Sequence, residues 1–378
     1  MSGKISPFGL SVKIKQWWDN IDHVSFILVC LLISIGVILS FGSSVTATED
    51  LHIQNQFYFV YKQTAFALIG FSILIFLSNL SIDNIRRTTI ILYLIAFAIL
   101  VSILVFGHSA KGAQRWLKIG GFGLQPSEII KPCAIVLVAW VLTRRIYDKE
   151  FKGELLAIAL VALPISIFLL QPDVGQTLLL TIAFVSTFWI AGIGIKWIIG
   201  ISGVAMAGVI ALFSFMPHVI SRWNKFIDPN NNDNYQVERA LDAISNGDFF
   251  GKGAGEGVIK HLLPDAHTDF IFSLATEEWG FLGALVLISL FAILVIRGIH
   301  IASKNPDPFA QVAGIGIYTL FGLQVGINLA VNLNIIPAKG MTLPFISYGG
   351  SSLLGSAITM GLAIALTRRR PVSSILGI

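Results

Sequence analysis

The chain has 378 residues, of which 55% are hydrophobic and only 12% are charged, whereas soluble domains carry roughly 25% charged residues, so the composition predicts a membrane protein. The net charge of +5 does not indicate nucleic-acid binding, because the basic residues fall in short clusters between apolar runs. The two cysteines lie inside apolar runs and the seven histidines are scattered, which argues against a disulfide framework and against a metal held by protein ligands.

Ten apolar runs are long enough to cross a bilayer as helices, which takes about 20 residues. In chain order they lie near residues 24–41, 61–78, 89–107, 126–143, 155–171, 175–192, 197–216, 270–296, 309–335 and 351–367. We therefore expect an all-α, polytopic integral membrane protein with about ten transmembrane helices. A cleaved signal peptide is the alternative for the first run, but that run is longer than a usual signal-peptide core, so an uncleaved helix is predicted.

The distribution of Lys and Arg predicts that both termini are cytoplasmic. In that orientation the cytoplasmic tails and links hold 15 of the 26 Lys and Arg residues and the outer loops hold nine, as expected where basic residues accumulate in short cytoplasmic segments. The one large extracytoplasmic loop, about residues 217–269, then lies between helices 7 and 8. Residues 1–20 form a cytoplasmic tail, and residues 1–378 are expected to form a single transmembrane domain.

Ionisable residues in or beside apolar helices mark candidate sites, because a charge at bilayer depth costs several kcal/mol unless it is paired or lines a wet cavity. Arg115 and Trp116 follow the third run, and a guanidinium there suits contact with an anion such as phosphate. Glu128 and Lys131 stand three residues apart on one helical face, close enough to pair. By itself that pair is more simply interpreted as an ion pair that fixes its helix against the neighbours.

Two further charges leave alternatives open. Asp173 lies in the short turn Gln171–Gly175, where it serves equally well as the N-cap of the next helix or as a functional acid. Arg222 lies in the long loop beside Lys225, and the simpler interpretation is a cluster that faces solvent or lipid headgroups. The run Gly251–Gly257 does not match a phosphate-binding loop and is interpreted as a flexible loop.

Asp269 enters the eighth helix at the mouth of the long loop, after His267 and Thr268. Thr268 or Asp269 could simply cap that helix, which composition alone favours. Desolvation can also raise the pKa of a carboxyl in such a place and suit it to general base catalysis. Residues 337–352, which include Lys339, are rich in helix breakers. Irregular backbone at membrane depth needs protein or a water-filled cavity around it, so a cavity-lining loop is predicted there, a plain turn being the alternative.

Five motifs together resemble the SEDS family (shape, elongation, division and sporulation), the bacterial peptidoglycan glycosyltransferases. They are Gly112–Trp116, Gln125–Glu128, Gln171–Gly175, His267–Phe270 and Leu343–Ser352, and the resemblance covers nearly the whole chain. The lysine at position 339 resembles the pattern of the division-type, FtsW-like branch of the family, whereas the elongation-type, RodA-like branch usually lacks that lysine. Trp279 before Gly280 departs from the family pattern, in which Leu or Phe is usual, and this puts the local side-chain packing in doubt.

The resemblance implies a glycosyltransferase that polymerises lipid II, a disaccharide-peptide on undecaprenyl pyrophosphate, at the outer face of the bacterial inner membrane during septal synthesis. Asp269 matches the family's essential acid, which implies that it is the catalytic base. The cations implied to neutralise the pyrophosphate are Arg115, Arg222 and Lys339. The residues implied to line or support the cavity are Trp116, Asp173, Glu128, Lys131, His267 and Thr268.

The same resemblance implies a set of partners. We expect lipid II, a cognate class B penicillin-binding protein transpeptidase, other division proteins and membrane lipid, and no nucleic acid. No protein-bound cofactor or metal is expected, while a divalent cation, Mg²⁺ or Mn²⁺, would arrive with the substrate pyrophosphate. A transporter that flips lipid II and a structural member of the division machinery are the alternatives. The sequence favours the enzyme, because the acids and cations gather toward the outer ends of the predicted spans.

Overall fold

The computed structural model describes residues 15–50, 53–110, 113–119, 122–148, 150–215, 235–337 and 340–370. Long helices dominate these ranges, and the predicted all-α architecture is confirmed. In chain order the helices are α1 (His23–Asp50), α2 (Tyr58–Ser78), α3 (Ile82–Phe106), α4 (Ser127–Arg144), α5 (Gly153–Leu170), α6 (Val174–Ile190), α7 (Ile195–Phe215), α8 (Tyr235–Asn246), α9 (Ile271–Ser303), α10 (Pro308–Asn332) and α11 (Gly350–Thr367).

Each of the ten predicted spans coincides with one of these helices. In the described part of the chain, seven helices are long and apolar enough to cross a membrane, namely α1, α2, α3, α5, α9, α10 and α11. Helix α6 is apolar but has 17 residues, and α4 carries Glu128, Lys131 and Arg144 within its 18 residues. The count of ten spans and the cytoplasmic position of both termini therefore stay predictions.

A small antiparallel sheet between α3 and α4 was not predicted. Its strands are β1 (His108–Ala110), β2 (Ala113–Ile119) and β3 (Phe122–Leu124), in the order β1-β2-β3. The register pairs His108 with Trp116, and Leu117 with Leu124. Trp, Leu and Ile in β2 fit a pleated, half-buried surface, so this polar-looking segment is a structured platform that carries Arg115.

Helix α4 lies at the centre of the bundle. It packs against α3, α5, α6, α10 and α11, and all but a few of its side chains are buried. Outer helices instead expose large apolar side chains, among them Phe76, Val105 and Trp189, as expected for surfaces that face lipid. The charged and amide side chains of the central helices are therefore enclosed by protein, where each needs a partner.

The described part of the long loop is ordered against α9. Helix α8 packs on α9, and the main-chain amides of Lys252 and Gly253 donate to the carbonyls of Glu277 and Glu278. The glycine-rich run, interpreted from the sequence as a flexible loop, is thus joined to α9 by main-chain hydrogen bonds at two of its residues. Helix α9 itself is interrupted at Gly280, whose backbone has φ 69° and ψ −173°.

Candidate functional site

Asp269 lies directly before α9, and its main chain is fixed by two amide side chains of α10. The Nδ2 atoms of Asn328 and Asn332 each donate to the Asp269 carbonyl oxygen at 3.0 Å. Asn332 Oδ1 accepts from the main-chain amide and the hydroxyl of Ser273 at 3.2 and 2.8 Å. The N-cap position of α9 belongs to Phe270, which argues against the alternative in which Thr268 or Asp269 caps this helix.

An irregular segment between α10 and α11, residues 340–349, passes beside this acid, and most of its residues from Met341 to Ser347 are buried. Ser347 Oγ donates to the carbonyl of Thr268 at 2.5 Å, and the amide of Tyr348 donates to the carbonyl of His267 at 2.8 Å. A Cβ atom built on Gly340 would stand 3.4 Å from Asp269 Oδ2. The predicted cavity-lining segment is thus enclosed by protein and bonded to the predicted catalytic motif.

Lys339 and Arg222 lie outside the described residues, so their predicted contacts with pyrophosphate stay predictions. His267 has its ring centroid 5.4 Å from that of Phe59 and 5.8 Å from that of Tyr348. This aromatic packing fits the supporting role predicted for His267.

Arg115 and Asp173 meet at the end of the small sheet. Arg115 Nε lies 3.5 Å from Asp173 Oδ2 and 3.4 Å from the carbonyl oxygen of Gln171, and its Nη2 donates to the carbonyl of Pro172. The Arg115 side chain is 21% exposed, whereas the Asp173 side chain is 5% exposed. Because a guanidinium has five N–H donors, Arg115 can hold this turn and still present donors to an anion.

Of the two interpretations left open for Asp173, the N-cap is confirmed and the functional acid stays a prediction. Its carboxylate accepts from the amide of Gln176 at 3.4 Å, which makes it the N-cap of α6. Burial raises the pKa of Asp173, while the positive charge of Arg115 opposes that rise. Trp116 follows Arg115 on β2, and its ring is 3.3 Å from where a Cβ on Gly123 would stand. The sheet therefore orients the indole together with the guanidinium.

The predicted pair of Glu128 and Lys131 is confirmed. Lys131 Nζ lies 2.9 Å from Glu128 Oε1 and 3.2 Å from Gln324 Oε1, and Gln176 Nε2 donates to Glu128 Oε1 at 2.9 Å. Lys131 and Glu128 are both buried. A buried ion pair needs such additional hydrogen bonds to offset the cost of leaving water, so this cluster fixes α4 against α6 and α10.

A stripe of amides on α10 connects the two clusters, and the sequence analysis missed it. Gln324, Asn328 and Asn332 follow at intervals of four residues, which places them on one helix face. Gln324 contacts Lys131, while the two asparagines hold Asp269. The available signal was three amides at helical spacing in a run apolar enough to cross a membrane.

A second missed cluster anchors the end of the long loop. Lys260 Nζ lies 2.7 Å from Glu278 Oε1 and donates to the carbonyl of Gly255 at 2.8 Å. Glu277 accepts from the main-chain amides of residues 258–260 at 2.8 to 3.0 Å and from Asn246 Nδ2 at 2.8 Å. Lys260, Glu277 and Glu278 are buried. Among the described residues, no three His, Cys, Asp or Glu side chains converge in a way that could hold a metal ion.

Comparison with known proteins agrees with this arrangement. The family model for the FtsW/RodA/SpoVE cell cycle proteins matches residues 22–371. The chain is 46% identical over 355 residues to the probable peptidoglycan glycosyltransferase FtsW of Caulobacter vibrioides, covering 94% of this chain and 91% of that one. It is 34% identical over 361 residues to the protein of the same name from a Geobacter species, covering 93% and 98%.

Solved structures support the fold. One similar chain comes from a peptidoglycan synthase complex studied for the coordination of polymerization and crosslinking, with a TM-score of 0.74, 26% identity and coverage of 92% of this chain and 97% of that one. The rod shape determining protein RodA of Thermus thermophilus has a TM-score of 0.67, 26% identity and coverage of 92% and 96%. The chain described above belongs to the FtsW/RodA/SpoVE family of cell cycle proteins.

Proposed function

We propose that this protein is a peptidoglycan glycosyltransferase that polymerises lipid II at the outer face of the inner membrane during septal wall synthesis. The observation that carries the proposal is the fixed position of Asp269. Its main chain is clamped by Asn328 and Asn332, and its carboxylate lies beside Gly340. The 46% identity to a protein named as an FtsW glycosyltransferase supports the division-type assignment.

In this reaction the 4-hydroxyl of an acceptor sugar attacks the anomeric carbon of the donor. The new bond joins that oxygen to the anomeric carbon, and the bond from the anomeric carbon to the pyrophosphate oxygen breaks with both electrons going to undecaprenyl pyrophosphate. The carboxylate of Asp269 takes the hydroxyl proton, and general base catalysis of this kind needs a fixed carboxylate within hydrogen-bonding distance. The hydrogen bonds of α10 to the Asp269 carbonyl supply that fixed position.

The leaving pyrophosphate needs positive charge rather than a proton. Arg115 is the described cation best suited to this role, because the turn that contains Asp173 holds it while part of its surface stays exposed. We place Arg222 and Lys339 in the same role on the resemblance alone. A divalent cation, Mg²⁺ or Mn²⁺, that arrives with the pyrophosphate would add to this charge stabilisation.

The proposal includes a partner and an orientation. We infer that both termini are cytoplasmic, which puts Asp269 at the outer surface, where lipid II presents its sugars for polymerisation. We also infer a class B penicillin-binding protein transpeptidase as partner. The similarity to a chain from a synthase complex that coordinates polymerization with crosslinking supports this inference.

Flipping of lipid II is the second candidate, and one observation favours it. A charged cavity lies at the end of the bundle opposite Asp269, as a translocation path would need. Buried apolar residues of α4, from Cys133 to Ala139, lie between Lys131 and that cavity. The polar clusters are thus separated along the central helix, which supports the polymerase over the flippase.

The deciding experiment incubates the purified full-length protein and its transpeptidase partner with labelled lipid II and separates the glycan strands on a gel. Asp269→Asn should lower the polymerisation rate by at least about 100-fold, the usual contribution of a general base. Asp265→Asn removes the same charge four residues away and should leave most of the rate. Wild-type activity in Asp269→Asn would disprove the base assignment, and a wild-type protein that flips lipid II in proteoliposomes without polymerising it would reverse the ranking.

A further inference from the structure

A cavity of about 1000 Å³ lies at the end of the helix bundle opposite Asp269. It is enclosed by the ends of α1, α3, α4, α9, α10 and α11. Seven Lys and Arg side chains and four Asp side chains line it, an excess of three positive charges. These residues are Arg86, Arg144, Arg297, Lys304, Arg368, Arg369, Arg370, Asp19, Asp22, Asp83 and Asp307.

Three of the four acids already have partners. Asp22 binds Arg297 through two hydrogen bonds of 2.8 and 2.5 Å. Asp83 lies 3.3 Å from the guanidinium of Arg86, and Asp307 caps α10 by accepting from its first turn. Five basic residues of the lining are not paired with these acids, and they carry the excess positive charge. They are Arg144, Lys304, Arg368, Arg369 and Arg370.

Arg370 has donors that the described residues leave without a partner. Its Nη2 donates to the carbonyls of Leu80 and Ala365 at 3.2 and 2.7 Å, whereas its Nε and Nη1 are buried and make no hydrogen bond within the described part of the chain. Burial and the neighbouring charge of Arg368 lower the pKa of Arg370 to about 10. Unpaired buried donors of this kind cost free energy until an acceptor reaches them.

Asp307 and Asp83 are acids that act electrostatically on Arg370, and each already has another partner: Asp83 pairs with Arg86, and Asp307 accepts from the amide of Phe309 at the start of α10. Trp140 and Tyr147 also line the cavity, and such aromatic residues with a polar edge favour the boundary between lipid and water. The position at the helix ends and the mixture of guanidinium and aromatic groups both suit a small, strongly anionic group at the membrane surface.

We propose that this cavity binds a phosphate group through Arg370 together with Arg144 and Arg369, which line the same cavity. Guanidinium groups recognise phosphate oxygens in pairs of parallel hydrogen bonds. The phosphate can come from the headgroup of an anionic phospholipid or from a soluble phosphate compound, and the two sources share this chemistry. The site is separate from the proposed catalytic residues and does not depend on the proposed polymerase activity.

The first arm of the test measures lipid retention. Wild-type protein is reconstituted in nanodiscs of phosphatidylcholine with a minority of phosphatidylglycerol, and the lipid that stays bound is counted by native mass spectrometry. The wild type should retain phosphatidylglycerol in preference to phosphatidylcholine. Arg144→Gln/Arg369→Gln alters two exposed residues and should weaken retention by roughly fivefold for each charge removed, and Arg370→Gln should weaken it by a similar factor.

The matched control removes two charges from the same end of the bundle outside the cavity lining. Arg87→Gln/Arg145→Gln alters two exposed residues and should leave retention unchanged. The second arm compares thermal melting in inorganic phosphate with melting in chloride at equal ionic strength. Stabilisation by phosphate in the wild type, lost in Arg144→Gln/Arg369→Gln and kept in the control, would identify a soluble source. Equal losses in the cavity variants and the control, or no preference for either phosphate source in the wild type, would overturn the proposal.

Discussion

Asn332 Nδ2 donates a hydrogen bond of 3.0 Å to the main-chain carbonyl of Asp269, 63 residues earlier in the chain. Asn328, one turn earlier on α10, donates to the same carbonyl and also to the carbonyl of Met341 at 2.6 Å. These two asparagines therefore join the end of α10, the start of α9 and the segment 340–349. The position of the proposed base is set by all three.

We expect Asn328→Ala/Asn332→Ala to lower the turnover number for lipid II polymerisation by about 10- to 100-fold, because small displacements of a catalytic group are costly. The KM for lipid II should change much less, since neither side chain is proposed to contact substrate. Initial rates at several lipid II concentrations measure both quantities. Asn79→Ala removes an exposed asparagine side chain that donates to the carbonyl of Ile75 in the preceding helical turn and should behave as wild type. A change confined to KM would contradict the positioning role.

Substitutions of Arg115 can separate the effect of its positive charge from the effect of its guanidinium geometry. Its contacts with Asp173 and with the carbonyls of Gln171 and Pro172 need the planar fork of a guanidinium. Arg115→Lys keeps the charge but not the fork, so we expect it to be impaired, and Arg115→Gln should fall further, by about 100-fold or more in kcat/KM. The measurement is the polymerisation rate at subsaturating lipid II. Lys252→Gln, which removes an exposed charge of the long loop between α7 and α9, is the control. Equal rates for Arg115→Gln and this control would remove Arg115 from the site.

The sequence predicted the contacts that are local and missed those that are distant. Glu128 and Lys131 are three residues apart on a helix, so their pairing follows from helix geometry. The contact of Asn332 with Asp269 depends on how α9 packs against α10, which no local pattern encodes. The pairing of Lys260 with Glu278 likewise depends on a loop that folds back over 18 residues.

The small sheet shows the same limit. Strands β1 and β3 have three residues each, too few to show an alternation of polar and apolar residues, and the seven residues of β2 do not alternate, since Gln114 and Arg115 are adjacent polar residues and Trp116 and Leu117 adjacent apolar ones. The motif that contains Arg115 was therefore recognised, while the platform that orients it was not. The sequence indicated residues of the proposed site but not the side chains that support them, because those supports are formed by contacts between distant segments.

The buried pair on α4 should behave differently when one partner or both are replaced. Lys131→Met leaves the charge of Glu128 buried without its cation and should destabilise the protein by about 3–5 kcal/mol. Glu128→Gln/Lys131→Met removes both charges and keeps the side-chain volumes, so it should be closer to wild type in stability. Thermal melting of the purified variants in one detergent makes the comparison. If the double variant melts no higher than Lys131→Met, the charge pairing is not the source of the effect.

The interruption of helix α9 at Gly280 allows a prediction about the effect of a side chain at this position. With φ at 69°, this residue has a backbone conformation that side chains disfavour, and a Cβ would lie 2.3 Å from the amide nitrogen of Gly251 and 2.6 Å from the carbonyl oxygen of Phe249. We expect Gly280→Ala to cost about 1–3 kcal/mol from the backbone conformation alone. The clash adds to this cost, since main-chain atoms cannot rotate away.

Gly326→Ala is the matched control on the neighbouring helix α10, where a Cβ would meet no atom within 4 Å. Alanine is favoured over glycine inside a helix by about 1 kcal/mol, so this variant should melt at the wild-type temperature or slightly above it. Gly280→Ala should melt lower and lose polymerisation activity with the displaced loop, because Lys260 and the amides that bind Glu277 belong to the same loop as Phe249 and Gly251. Wild-type melting of Gly280→Ala would mean that the loop can move away from α9 at little cost.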